Sequence, residues 1–382
     1  MDRNHIHFSK YLNKTHIDNI KNKFGLSDVQ AIEKFIMDYE MMYHLKSEIP
    51  CIVKGGMAVP FYTTDRKARR LSVDIDVVSN ASSDEIDAAL ERIGKQIKSF
   101  ASIERYIPKK PVYKLPMSTF LVSYKSCYSG NADFVKIDIY HDFKENVYPR
   151  RIPTGYDLFA LEIDYEFNIF GHGSLVGDKL TTLAFDTIGI DPNGHRAIEI
   201  SKHIYDIGCL VRTTTSEEMQ RMTEVFQTIS RYEAAIRELA DIDGVKVADD
   251  IVASMDKLLP LTDKGLVLSN AQSQRFRIFR NQLFSARDYV GLNHKIDILL
   301  IRLIASYVRI VTSGQMTISE FADRFANQVA ILKALESHSS KKLAESTRRE
   351  ALDLLRKYKN ESSLRTLTTE ELYLVGCAQE NL

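Results

Sequence analysis

No apolar run in this 382-residue chain reaches the roughly 18 to 20 residues that a membrane-spanning helix needs. The opening Met1-Asp-Arg-Asn-His-Ile lacks the basic and then apolar pattern of a secretory leader. A cytoplasmic protein with no membrane partner is therefore expected. Cysteine is scarce and scattered: Cys51, Cys127, Cys209 and Cys377 form no CxxC pair, which argues against a zinc knuckle or a disulfide framework. They read as small hydrophobes in a reducing compartment. Net charge is also missing, with 51 basic and 51 acidic residues, so any attraction to a polyanion has to come from local patches. No repeat of fixed period and no low-complexity tract is present. What remains is an ordinary globular composition, 44% hydrophobic and 27% charged, in a chain longer than one core usually organises.

The pattern changes along the chain. Residues 1–212 mix strand and helix signals with most of the turn residues. From 213 to 382 glycine becomes rare and the apolar period shifts to 3.6, with helical candidates at 216–240, 270–288, 294–312, 318–336 and 342–358. An α+β domain over 1–212 followed by a helical domain over 213–382 is the expectation. Ser27-Asp-Val-Gln30 and Ser82-Ser-Asp-Glu85 have capping-box form, each ahead of an amphipathic stretch. Met117 to Tyr124 and Asp133 to Tyr140 read as a hairpin turning at Ser129-Gly130-Asn131.

The chemistry concentrates between residues 55 and 76: Gly55-Gly56, then Arg69, Arg70 and Ser72, then Asp74-Ile75-Asp76. Ser72 to Val77 alternates as a strand, so Asp74 and Asp76 share one face, about 7 Å apart by the strand rise. Val73, Ile75 and Val77 take the other face, into a core. Asp138 is the third acid, alternating with Val135, Ile137 and Ile139 on a second strand. A carboxylate there needs a partner or a metal, because burial without one is costly. Three carboxylates around one or two Mg²⁺ (or Mn²⁺) ions suit nucleotidyl transfer from an NTP. Gly55 and Gly56 would let the backbone approach the triphosphate, with Ser72 on the same side.

A facing cation is expected from Lys179, placed near a helix N-terminus after a Gly171-His-Gly173 turn. Asp206, on a helix from Arg196 to Val211, would orient Lys179 or act in proton transfer. Arg66, Lys67, Arg69 and Arg70 form a basic run that could meet an RNA backbone, and residues 338–366 hold eight bases against four acids.

These residues resemble a known family. Lys54-Gly-Gly-Met-Ala-Val, Arg70-Leu-Ser-Val-Asp-Ile-Asp-Val77, Val135-Lys-Ile-Asp-Ile139, Asp178-Lys-Leu-x-x-Leu-Ala184 and Tyr205-Asp-Ile207 are similar to the ordered motifs of AbiEii-type nucleotidyltransferases. These are toxins of type IV toxin–antitoxin and abortive-infection (phage-defence) systems in the DNA polymerase β-like superfamily. The resemblance implies a polymerase β-like core with a mixed sheet and a helical C-terminal domain. It implies transfer of nucleotides from an NTP to RNA, the tRNA 3′ end in characterised relatives, which blocks translation and growth. Ser72, Asp74 and Asp76 match the first motif, Asp138 the second, Lys179 the third and Asp206 the fourth. A cognate antitoxin is implied as partner, with Ser72 the residue that a kinase-like antitoxin would phosphorylate. A small-molecule nucleotidyltransferase and a non-catalytic regulator are the alternatives left open.

Overall fold

The computed structural model describes residues 6–26, 28–63, 69–107, 116–284, 286–357 and 361–380. The chain divides into two compact units: Met1–Gly171 with Asn281–Asp288, and His172–Arg280 with Tyr289–Leu382.

The first unit is α+β. Helices α1 (Lys14–Phe24) and α2 (Val29–Glu48) lead into β1 (Ile52–Val53) and the short turn of helix α3 (Gly55–Ala58). Next come β2 (Arg69–Arg70), β3 (Asp74–Val78), α4 (Ser83–Gln96), β4 (Phe100–Tyr106), β5 (Met117–Lys125) and β6 (Ala132–Tyr140). The short strands β7 (Arg150–Ile152), β8 (Tyr156–Leu158), β9 (Leu161–Ile163) and β10 (Phe167–Ile169) close the unit. Seven strands form a mixed sheet in the order β4-β5-β6-β3-β1-β10-β7, with β3 parallel to β6 and β1 parallel to β10. Ile75, Val77, Val135, Ile137 and Ile139 are fully buried on one side of it, as alternation predicts, while Val73 is only half-buried.

Local chemistry explains the helices. Ser82 and Glu85 form the reciprocal capping box, and Ile86, Leu90 and Ile93 bury the stripe that follows. At α2 the cap is Asp28, which accepts from the backbone N–H groups of Gln30 and Ala31; Ser27 of the expected box lies outside the described residues. α2 is buried around most of its circumference, so its acids need partners. Glu33 accepts from Ser126 and Cys127, and Glu40 from the N–H groups of His7 and Phe8. The β5–β6 hairpin turns where Gly130 takes φ +79°, a conformation that glycine adopts without a Cβ clash.

The second unit is helical: α5 (His172–Thr181), α6 (Ile200–Val211), α7 (Ser216–Ile236), α8 (Gly244–Leu258), α9 (Asn270–Arg280), α10 (Gly291–Thr312), α11 (Ile318–Glu336), α12 (Lys341–Leu355), α13 (Glu361–Arg365) and α14 (Thr369–Glu380). One expectation is corrected here. α5 begins at His172, so Lys179 lies in its last turn and not near a helix N-terminus. Gly173 is already helical and not part of the expected Gly171-His-Gly173 turn, and Gly177 follows it on the same helix. They are one helical turn apart on the face packed against α7, where a Cβ would stand 2.0 Å from the Glu218 carbonyl oxygen and 2.6 Å from that of Met222. The helix expected over 270–288 also stops early, at Arg280; Leu283–Phe284 belongs to the first unit and pairs antiparallel with β2. The expected helix from Arg196 begins as a 3₁₀ turn over His195–Glu199 before α6. Among the described residues no helix is long and apolar enough to cross a membrane.

Candidate active site

Strand register assembles the acids. β3 lies parallel to β6, and β6 antiparallel to β5, so Asp76, Asp138 and Thr119 form one row across three strands. Asp74, Lys136 and Leu121 form the next. Neighbouring strands are about 4.8 Å apart, which brings Asp76 and Asp138 side by side on the face opposite Ile75 and Ile137.

Both oxygens of Asp138 have protein donors. Thr119 Oγ1 donates to Oδ1 at 2.6 Å, and Lys136 Nζ lies 2.5 Å from Oδ2. Lys136 is held above the usual lysine pKa: burial works against its charge, and Asp138 first, then Asp74 and Asp76, outweigh that effect. Among the described residues no group of three or more His, Cys, Asp or Glu side chains is arranged around a common metal position.

The paired glycines build the other wall. Gly55 has φ +65°, and a Cβ on it would stand 2.2 Å from Oδ2 of Asp76. A Cβ on Gly56 would stand 2.4 Å from the Ser72 hydroxyl and 2.7 Å from Nη2 of Arg70. Bare backbone, a carboxylate, a hydroxyl and a guanidinium therefore meet within a few ångströms. Ser72 and Arg70 are about 6% and 5% exposed, so Arg70 faces this cluster and not the solvent. Arg69 is half-buried with its guanidinium near the Phe159 ring; Arg66 and Lys67 lie outside the described residues.

Two residues here escaped sequence reasoning. Lys136 was visible only as the outward member of an alternating strand, although Lys-x-Asp on one strand face is a signal for a same-face ion pair. Asp38 looked like an ordinary helix position. It is about 1% exposed, and among the described residues neither carboxylate oxygen has a hydrogen-bond partner. Burial pushes its pKa well above the carboxylate range; repulsion from Asp74 and Asp76 adds to that, and Lys34 opposes it.

In the second unit, Lys179 Nζ lies 2.8 Å from Oδ2 of Asp206, joining α5 to α6. The two side chains are 2% and 0% exposed, a fully desolvated ion pair. His203 lies one turn before Asp206, its pKa lowered to about 4 by burial first and also by Lys179 and Lys202, with Glu199 opposing.

The family model described as "Nucleotidyl transferase AbiEii toxin, Type IV TA system" matches residues 40–297, a span that holds every one of these groups except Lys34 and Asp38. The chain belongs to the AbiEii nucleotidyltransferase toxin family. This AbiEii-family protein is thus a nucleotidyltransferase of a type IV toxin–antitoxin system, a family that generally uses an NTP and a divalent metal. No match is found among curated proteins. Solved structures similar to it include JHP933 from Helicobacter pylori, 12% identical with a TM-score of 0.35, covering 76% of this chain and 100% of that one. A candidate nucleotidyltransferase from H. pylori is 13% identical with a TM-score of 0.37, covering 76% and 99%.

Proposed function

We propose that this AbiEii-family enzyme uses Mg²⁺ or Mn²⁺ to transfer a nucleotidyl group from an NTP to RNA. The family resemblance favours the tRNA 3′ end as acceptor, with arrest of translation and growth as the consequence. The observation that carries the reading is the packing of the Asp76 carboxylate on Gly55, and of Ser72 and Arg70 on Gly56, beside the acid face of β3.

The donor set fits a small, hard divalent ion. Asp74 and Asp76 offer carboxylate oxygens from alternate positions of one strand. These two residues would hold the ion, which when bound polarises the α-phosphate as a Lewis acid. The remaining work falls to the chain itself. Ser72 and Arg70, packed on Gly56, would present a hydroxyl and a guanidinium to the triphosphate beside the bare backbone of Gly55 and Gly56. Asp138, fixed by Thr119, stands beside Asp76 to orient the attacking hydroxyl and take its proton. Lys179 and Asp206 are assigned to function by their motif positions; their ion pair fixes α5 against α6. A phosphate placed on Ser72 by a kinase-like antitoxin would add about −1.5 to −2 charge beside Gly56, where the triphosphate is expected, and so oppose its binding.

Incubation of the protein with total tRNA and each α-³²P-labelled NTP in turn, with Mg²⁺ or with EDTA, tests the reading. Label should enter tRNA from at least one NTP and disappear in EDTA. Label reaching only small molecules would overturn the RNA acceptor, and no transfer from any NTP would overturn the activity.

A further inference from the structure

The row geometry gives Lys136 a place that a surface lysine would not have. Its Cα is the register partner of Asp74, and its ammonium leans one row along β6 to Oδ2 of Asp138. Thr119 occupies the other oxygen. Asp138 is 14% exposed and the Lys136 side chain 41%, so the contact is desolvated on the acid's side while the lysine keeps partial access to solvent. Two-ion catalysis of nucleotidyl transfer would need the third carboxylate to face a second dication. Here that carboxylate already faces a covalently tethered cation, which would repel one.

We propose that the Lys136 ammonium is a built-in cation on the Asp138 side of the cluster, and that the site consequently takes one divalent ion, on Asp74 and Asp76, and not two. The inference rests on the nucleotidyltransferase reading of the acids. It assigns Lys136 a positioning role: the lysine neutralises Asp138 and holds it in line for the attacking hydroxyl. The spacing that does this is Lys-x-Asp, because alternate residues of a strand share a face.

Counting bound Mn²⁺ separates the possibilities. The full chain is titrated with Mn²⁺ alone, free ion being followed by electron paramagnetic resonance, for the wild type and for Lys136→Met, Lys136→Arg and Asp74→Asn. The wild type and Lys136→Arg should each bind one ion, Lys136→Met should bind two, and Asp74→Asn should bind at least tenfold more weakly. Two ions in the wild type, or a single ion still in Lys136→Met, would overturn the role of Lys136 while leaving the acid site in place. Binding that ignores Asp74→Asn, or no binding at all, would overturn the acid site and the inference together. Retention of the first Mn²⁺ by Lys136→Met shows that the variant is folded.

Discussion

Gly55 and Asp76 are built against each other: the glycine holds φ +65°, and any Cβ there would overlap the Asp76 carboxylate. A left-handed residue other than glycine costs about 1–2 kcal/mol. Gly55→Ala should therefore lower stability by that order and displace the carboxylate, with a fall in kcat of about 100-fold, the scale of a 1 Å misplacement. Gly56→Ala meets the flexible ends of Ser72 and Arg70, so it should raise KM for the NTP more than it lowers kcat. Initial rates against NTP concentration distinguish the two.

Asp38 should make the fold weaker as pH rises. Its folded pKa is raised, so between the unfolded carboxylate range and that higher value the folded chain binds more protons than the unfolded one, and stability falls with increasing pH. Asp38→Asn removes the titration. It should stabilise the protein at pH 7, where the folded chain holds a proton that the unfolded chain releases, and by little at pH 3.5, where both hold it. Denaturant melts at the two pH values give the difference directly.

The Lys179–Asp206 pair complicates any simple mutagenesis of Lys179. Removing one member of a buried pair leaves an uncompensated charge and costs about 3–5 kcal/mol. Lys179→Met should thus lower stability whatever its part in transfer, and Lys179→Met with Asp206→Leu should recover most of the loss. Activity that stays absent in the recovered double variant would mark the pair as functional as well as structural.

Two buried imidazoles should weaken the fold in acid. His294 and His203 both have pKa values lowered to about 4, burial being the largest cause in each. The unfolded chain then takes up protons below about pH 6.5 that the folded chain refuses, so stability is lost as pH falls from there toward 4. His294, fully buried between Gln272 and Tyr289, should account for about 3 kcal/mol of that loss. His294→Gln should show a shallower dependence between pH 6.5 and 4.5 in urea unfolding, even if it is less stable at pH 7.

Period-two alternation made β3, β5 and β6 legible, because each buries one face and exposes the other. The same alternation placed Asp74, Asp76 and Asp138 on the open side, while the Gly55-Gly56 pair was read as room for a triphosphate and in the fold is packed by Asp76, Ser72 and Arg70. Other features depended on contacts distant in sequence. Gly173 looked like part of a turn because the α7 backbone that demands a small residue there lies 45 positions away, at Glu218. Leu283–Phe284 was absorbed into a helical pattern because its partner, β2, is more than 200 residues earlier. α8 opens on a glycine and is started by the Asp243 cap, so it carried no apolar-led signal. Lys136 and Asp38 acquire meaning only when the strands and α2 bring them to the acids.

Asp74 and Asp76 are the residues proposed to carry nucleotidyl transfer. Label transfer from α-³²P-NTP to tRNA, measured for Asp74→Ala and Asp76→Ala beside the wild type with melting curves of all three, tests that role most directly. Transfer should vanish in both variants with their melting transitions preserved; transfer retained in either folded variant would contradict the account.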